Sequence, residues 1–292
     1  RLFKTHTSLT ISLFARFRCS KVETIAAALL ALLAVLVGMI AAMTGVGGGF
    51  LIVPVLNLVF GLPVHQAVGT SLVTIIFTAL FSTFAYARQK RVDYKLGLIF
   101  TIGTVPGAVL GAYTTIFLTE RLLSAVFGVS LMLIASRMMG IWKISSTRSA
   151  TASTGLHRRL IDSKGVVFEY SANMKPGIAL SFLGGFTSGL LGVGGGVVMV
   201  PVLSLAVGFP MHLAVAASMF IMIFTSISGA FTHLTFGNVQ PEYAAYLVLG
   251  TIAGTQLGAA IANRLREKIL ARLFGFIMIL IGLRMVASYF LS

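Results

Sequence analysis

The sequence predicts an all-α polytopic membrane protein built from two homologous repeats of inverted topology. Three observations support this fold class: a glycine-rich motif occurs twice, hydrophobic residues make up 57% of the chain, and equivalent loops of the two halves differ in charge. Charged residues make up only 10% of the sequence, whereas a typical soluble domain has about 25%. Most of the outer surface must therefore face lipid.

The glycine-rich motif defines the repeat. Its first copy reads GVGGGFLIVPVL from residue 45, and its second reads GVGGGVVMVPVL from residue 192. Each residue of the second copy lies 147 positions after its counterpart, and the same offset relates Gly61 to Gly208 and Pro63 to Pro210. One duplicated unit of about 100 residues in an apolar chain is typical of transporters with internal two-fold repeats.

The chain divides into four regions. These are a basic tail at residues 1–23, a first membrane repeat at 24–142, a cytoplasmic linker at 143–175 and a second membrane repeat at 176–292. The linker is rich in Ser and Thr and contains six basic and two acidic residues without sustained periodicity. This composition predicts a solvent-exposed connection that is partly disordered.

Each repeat contains full-length apolar spans and one half-length segment. The full spans are long enough for the ~30 Å hydrocarbon core of a bilayer. They are Ile25–Met43, Gln66–Ala87, Leu96–Leu118 and Leu122–Trp142, then about 213–236, 243–263 and 269–291. Phe50–Phe60 and Val197–Val207 have eleven residues each. A helix of that length rises only about 16 Å and cannot cross alone.

Loop charges predict the inversion. Arg88–Lys95 carries four basic residues, whereas its counterpart, around Thr235–Glu242, carries no Lys or Arg. Arg264–Arg272 is basic in turn, and its counterpart in the first repeat is neutral. The positive-inside rule therefore places both basic loops and the linker in the cytoplasm. Opposite topology requires an odd number of crossings before Ala87, so each glycine cluster is predicted to form a re-entrant or steeply folded hairpin.

The glycine clusters are the predicted substrate site. Irregular backbone at membrane depth is tolerated only where it is buried in protein or lines a cavity. Glycine permits positive φ and close approach to backbone N–H groups, and each cluster precedes a short helix whose start attracts anions. The predicted substrate-binding glycines are Gly47, Gly48, Gly49, Gly194, Gly195 and Gly196. The alternative, close helix packing, is preferred for Gly103, Gly107, Gly111, Gly250, Gly254 and Gly258.

Polar side chains on the following spans are predicted to complete this site. They are Ser71, Thr78, Ser218 and Thr225, although a hydroxyl in a helix also commonly bonds to a carbonyl of its own helix. Pro54 and Pro201 are predicted to kink or stop the short helices. His65 and His212 lie at loop–helix junctions, where capping is the favoured role and proton coupling the alternative.

The composition excludes several function classes. Cys19 is the only cysteine, so there is no disulfide framework and no thiolate metal site. No Asp or Glu falls inside the predicted spans, which argues against a carboxylate site for metals or organic cations and favours an anion. We find no constellation of catalytic residues and predict neither an enzyme nor a cofactor. The net charge of +15 is concentrated in the tail and loops, as in a membrane protein, so no nucleic-acid partner is expected.

The doubled motif, with its sequel Gly-x-Pro-x-His at residues 61–65 and 208–212, resembles the sulfite exporter TauE/SafE family, also called the 4-toluene sulfonate uptake permeases. The resemblance covers about residues 25–142 and 176–291. It implies a multi-pass permease of the cell membrane that moves sulfite, sulfonates or related small sulfur anions, in either direction.

The sequence thus predicts a secondary transporter of a small sulfur-containing oxyanion, with the lipid bilayer and that anion as partners and with a homo-oligomer as a further expectation. Two alternatives stay open at this point. One is an anion channel. The other is a non-transporting membrane sensor or assembly subunit that docks through the basic linker.

Overall fold

The computed structural model describes residues 29–138, 156–163, 165–261, 276 and 279–287. The predicted tail at 1–23 and the basic loop Arg264–Arg272 lie outside the described residues.

Ten helices and one β-hairpin make up the described chain. The helices are α1 (Leu29–Thr44), α2 (Gly49–Pro54), α3 (Val64–Arg88), α4 (Tyr94–Thr114), α5 (Glu120–Met138), α6 (Met174–Leu191), α7 (Gly196–Pro201), α8 (Met211–Thr235), α9 (Pro241–Ile261) and α10 (279–287). The strands are β1 (Leu156–Ile161) and β2 (Val167–Ala172). A 3₁₀ turn, Thr115–Phe117, extends α4.

Among the described residues, three helices are long and apolar enough to cross a membrane: α3, α8 and α4 with its 3₁₀ turn. They coincide with three of the predicted full spans. The predicted half-length segments are confirmed as short apolar helices, Gly49–Val59 and Gly196–Val207. The core is divided among three buried clusters that join these short helices to α3 and α8.

Both short helices change their winding at a proline. Pro54 ends α2 and Pro201 ends α7, and in each case the chain continues as a π-helix, Val55–Val59 and Val202–Val207. Proline lacks the N–H that would continue the regular ladder, which explains why the winding widens at this residue in both helices.

The chain folds back at the second glycine cluster. A Cβ on Gly195 would lie 3.3 Å from the Cβ of Ser188, one on Gly184 would lie 2.8 Å from Met199 Sδ, and one on Gly177 would lie 2.7 Å from a methyl group of Val207. From Gly195 through Met199 to Val207, the neighbours on α6 run backwards from Ser188 through Gly184 to Gly177. The chain after Gly195 therefore runs antiparallel along α6. The predicted hairpin is present here as a fold of the chain.

The glycines spaced by four pack helices across the two halves, as the packing interpretation predicts. On α4, a Cβ on Gly103, Gly107 or Gly111 would overlap backbone or hydroxyl atoms of α6. On α9, a Cβ on Gly250, Gly254 or Gly258 would overlap backbone carbonyls of α1. The fourth helix of each half therefore packs on the first helix of the other half. Small residues allow this close approach between helices.

The described part of the linker forms an antiparallel β-hairpin, so the fold is mostly helical rather than all-α. β1 pairs with β2 from Leu156 opposite Ala172 to Ile161 opposite Val167. Tyr170 and Ala172 are buried against Phe209, which follows the π-helix after α7. The hairpin also contacts the turn between α3 and α4, where Ser163 N–H donates to Gln89 O. This stretch is ordered because its apolar face is covered by the helical body.

Candidate functional site

The two glycine clusters lie against each other inside the protein. A Cβ on Gly49 would overlap the carbonyl oxygen of Gly192, and a Cβ on Gly196 would overlap the carbonyl oxygen of Gly45. All residues from 45 to 50 and from 192 to 196 are buried. The two predicted sets of substrate-binding glycines are thus brought together by contacts that are reciprocal between the halves.

The glycine conformations explain why these helices start where they do. Gly48 and Gly195 precede the first residues of α2 and α7 with φ of 84° and 80°, a left-handed conformation that residues with a Cβ rarely adopt. Gly47 and Gly194 also have positive φ, 91° and 79°. Residues 45–48 and 192–195 therefore lie outside regular helix, and three of the four in each motif are glycines with positive φ.

The backbone at both helix starts retains unused donors. Gly48 O accepts from the amides of Leu51 and Ile52, and Gly195 O accepts from those of Val198 and Met199. In the described part of the chain, no backbone hydrogen bond outside the helices uses the N–H of Gly49 or Gly196. The first amides of a helix have no partner within it, and they carry the positive end of its dipole.

Two of the predicted polar side chains hold the glycine clusters. Ser71 Oγ lies 2.6 Å from Gly192 O, and Ser218 Oγ lies 2.9 Å from Gly45 O. Each serine belongs to one half and shares its single hydroxyl hydrogen between the cluster of the other half and a carbonyl of its own helix, Val68 O at 2.8 Å or Val215 O at 2.9 Å. Thr78 and Thr225 behave differently, because each hydroxyl donates to a carbonyl of its own helix at 3.0 Å.

Apolar side chains from α3 and α8 fill the space beside Gly47 and Gly194. A Cβ on Gly47 would lie 2.7 Å from Met222 Sδ, and one on Gly194 would lie 2.8 Å from Ile75 Cγ2 and 2.9 Å from Met222 Sδ. Ile75 and Met222 are related by the same offset as the glycine clusters. One side chain of each half therefore touches both clusters.

Sequence reasoning missed Ser188, a buried hydroxyl beside the start of α7. Its Oγ has no hydrogen-bond partner. Its Cβ lies 3.3 Å from the position that a Cβ on Gly195 would take. The equivalent neighbour of Gly48 is Ala41, whose Cβ lies at the same 3.3 Å. Comparison of Ala41 with Ser188 across the repeat was the available signal.

The two histidines predicted from the sequence have different surroundings. His65 Nδ1 lies 2.7 Å from Glu120 Oε1, and its Nε2 lies 3.0 Å from Thr115 O. The other oxygen of Glu120 accepts from the Val64 N–H. His65 therefore ties the start of α3 to the junction of α4 and α5. His212 is exposed at the start of α8.

A third histidine, His233, is fully buried on α8. Its Nε2 lies 2.9 Å from Gly189 O on α6, and its Nδ1 has no partner. The equivalent residue of the first half is Tyr86, whose hydroxyl lies 2.6 Å from Ala42 O. Both acceptor carbonyls stand three residues before a glycine cluster. Because the two side chains differ in type, the motif comparison did not reveal this pair.

No group of three or more His, Cys, Asp and Glu side chains that could hold a metal ion occurs among the described residues.

Comparison with known proteins identifies the family. Residues 30–285 match the family model described as sulfite exporter TauE/SafE. The chain is 39% identical over 267 residues to the probable membrane transporter protein YunE of Bacillus subtilis (strain 168), covering 88% of this chain and 96% of YunE. It is 28% identical over 272 residues to a probable membrane transporter protein of Methanocaldococcus jannaschii, covering 88% of this chain and 94% of that protein. No solved structure matches.

The two comparisons agree on a membrane transporter: the family model spans most of the chain, and YunE is aligned over nearly its whole length. The chain belongs to the sulfite exporter TauE/SafE family and is a multi-pass membrane transporter, not an enzyme.

Proposed function

We propose that this protein is a secondary transporter of a small sulfur-containing oxyanion, such as sulfite or an organosulfonate, in the cell membrane. The observation that carries the proposal is the reciprocal contact of Gly49 with Gly192 and of Gly196 with Gly45, which brings the starts of α2 and α7 together. The family description supports the substrate class.

The chemistry of the two helix starts favours an anion. Their first amides have no acceptor within the helix, and the helix dipole is positive there. Glycine at positions 48 and 195 permits the left-handed backbone from which each short helix starts, at a point where a Cβ would crowd α1 or α6. The oxygens of a sulfite or sulfonate group are acceptors for such N–H groups, and binding of this kind adds no positively charged side chain.

The substrate needs room that the present packing fills. Ile75 and Met222 occupy the space beside Gly47 and Gly194. A methionine side chain is flexible and adapts its shape at low cost. We infer that the anion enters when Met222 turns away, and that the hydroxyls of Ser71, Thr78, Ser218 and Thr225 then turn from backbone carbonyls to the substrate.

Inverted repeats would give this site access to each side of the membrane in turn. The opposite loop charges support the inversion. The matched pairs that follow the repeat offset, such as Tyr86 with Ala42 and His233 with Gly189, support the equivalence of the two halves. Rocking of the halves about the paired clusters would expose the site first on one side and then on the other.

The experiment is flux of ³⁵S-labelled sulfite and methanesulfonate in proteoliposomes. We expect saturable flux with counterflow, which an anion channel does not give. The double variant Gly48→Leu/Gly195→Leu is expected to abolish it, and Gly61→Leu is the matched control. Gly61 also has positive φ, 69°, but a Cβ there would meet nothing within 4 Å.

Thermal unfolding of both variants separates loss of function from loss of fold. Unchanged flux in a folded double variant would remove the glycine clusters from the site. The absence of flux for both anions in the wild type would contradict the proposed substrate class.

A further inference from the structure

We infer that His233 carries a proton through the transport cycle, taking it up at Nδ1 together with the anion. This inference rests on the proposed transport function and adds the coupling ion to it. The protonated imidazole would form when the site is open to one side, and the proton would return to water on the other side. No other bond is made or broken.

The hydrogen bond to α6 fixes the tautomer. A backbone carbonyl can only accept, so Nε2, which lies 2.9 Å from Gly189 O, must carry the hydrogen. In a neutral imidazole the other nitrogen then presents a lone pair. Nδ1 of His233 is therefore a free proton acceptor, held in a fixed orientation by the bond on the opposite side of the ring.

Among the described residues, Nδ1 of His233 is one of eight buried side-chain N and O atoms without a hydrogen-bond partner, and the other seven are hydroxyl oxygens and the Arg91 Nε donor. His233 is 0% exposed, and Nδ1 has no hydrogen-bond partner. A buried polar atom without a partner is costly, so its presence calls for an explanation. A group that acquires its partner in another state of the cycle is such an explanation.

His233 also stands where the two halves meet. A Cβ on Gly69 of α3 would lie 3.1 Å from the Cβ of His233, and Gly189 lies three residues before the glycine cluster at Gly192. A positive charge on His233 would therefore arise at the contact between α3, α6 and α8. Such a charge disfavours the closed, dry packing and favours an anion nearby.

Other ionisable groups, which are alternative candidates for the proton carrier, lie on α8 and on the helices packed against it. On α8 itself there is His212; on α3 there are His65, Tyr86 and Arg88; on α4 there are Tyr94, Lys95 and Tyr113. Among the side chains that the structure describes, α6 and α7 contribute none. His65 is engaged elsewhere, because its Nδ1 lies 2.7 Å from Glu120 Oε1.

The first half supplies a matched replacement. Tyr86 makes the equivalent hydrogen bond to Ala42 O with a hydroxyl, which does not titrate near neutral pH. His233→Tyr therefore keeps a donor for Gly189 O and removes the proton acceptor. His233→Gln is a second variant, because its side-chain amide can donate to Gly189 O and takes up no proton. His212→Gln, at an exposed position of the same helix, is the control.

The test compares two measurements in proteoliposomes, each with ³⁵S-sulfite or ³⁵S-methanesulfonate. The first is counterflow without a pH difference, and the second is accumulation of the anion driven by a pH difference. A sulfonate stays ionised, so it brings no proton of its own. One proton per anion allows about tenfold accumulation for one pH unit across the membrane, because each pH unit is a tenfold difference in proton activity. We expect the wild type and His212→Gln to show both fluxes.

We expect His233→Tyr and His233→Gln to retain counterflow and lose the accumulation. Accumulation that persists in a His233 variant would overturn the inference, as would a wild type that exchanges anions but never responds to the pH difference. If both variants lose counterflow as well, pyranine measurement of anion-dependent proton entry by the wild type decides. A wild type without counterflow refutes the transporter mechanism itself, which is a separate result.

Discussion

Arg158 of β1 holds Asp93 with both ends of its guanidinium group. Its Nη2 lies 2.8 Å from Asp93 Oδ1, and its Nε lies 3.0 Å from Oδ2. The Tyr170 hydroxyl donates to Oδ2 at 2.7 Å, and Asp93 in turn caps α4 by accepting from Leu96 N–H. The hairpin is thus fastened to the turn between α3 and α4 through one nearly buried carboxylate.

Replacement of Arg158 is predicted to loosen the hairpin. Arg158→Ala leaves the buried carboxylate of Asp93 without its charged partner, and the expected loss is about 1–3 kcal/mol in the free energy of unfolding, because Arg158 is itself partly exposed. Thermal unfolding in detergent measures it. Arg159→Ala is the control, since its 3.6 Å pair with Glu169 is exposed and should change stability by less than about 0.5 kcal/mol. Equal effects would contradict this account.

Acid is predicted to release the same contact. Burial acts to raise the pKa of Asp93, but the hydrogen bonds from Arg158, Tyr170 and Leu96 outweigh it and lower the pKa below the ordinary 3.8. The stabilisation is therefore fully present above that ordinary value and is lost as the pH falls through the lowered pKa. Protease cleavage within 156–172, followed between pH 6 and pH 3, would show it. Asp93→Asn should remove this acid dependence, and an unchanged profile would refute the assignment.

The close packing between α4 and α6 is predicted not to tolerate a larger side chain at the glycine positions. Gly107→Val places side-chain atoms against Phe182 O and Phe186 N, and the expected destabilisation is about 1–3 kcal/mol. Leu110→Ala, at an exposed position of the same helix, is the comparison and should have a small effect. Thermal unfolding of the two variants gives the answer. A neutral Gly107→Val would mean that these helices can separate freely.

The serines that hold the glycine clusters are predicted to matter more than the threonines of the same helices. Ser71→Ala and Ser218→Ala each remove a hydrogen bond to the other half, worth about 1 kcal/mol. Thr78→Val removes one of the four hydroxyls proposed to turn to the substrate, but in the packing seen here it breaks a bond within α3 and none between the halves. Anion flux and thermal unfolding should both fall further in the serine variants. A flux that depends on Thr78 alone would place the substrate farther along α3.

The helix breaks were predictable because their cause is local. Three consecutive glycines before a short apolar run cannot continue a helix, and both short helices begin within one residue of the predicted position. The contact that Ser71 makes was not predictable. Ser71 was predicted to take part in the substrate site, which stays a prediction, whereas its acceptor, Gly192 O, is 121 residues away in the chain, and no periodicity reports such a contact.

The hairpin and His233 show why the remainder was missed. β2 carries a period-two signal, with Phe168, Tyr170 and Ala172 on one face, but it lies in a Ser/Thr-rich basic stretch whose composition is typical of disorder. Its order depends on a partner, Asp93, that sequence pattern does not connect to it. His233 lies within an apolar run, and only three-dimensional contacts distinguish its two nitrogens.

The exchange of helices between the halves has a consequence for how the chain is made. Gly38 of α1 packs against the backbone of Thr251 on α9, so the narrow face of α1 stays uncovered until nearly the whole protein has been synthesised. Such distant pairings are slow to form. The first half therefore cannot mature ahead of the second, and a ribosome stalled in the linker would leave α1 in the bilayer with an unfilled groove, a form that quality-control proteases can recognise.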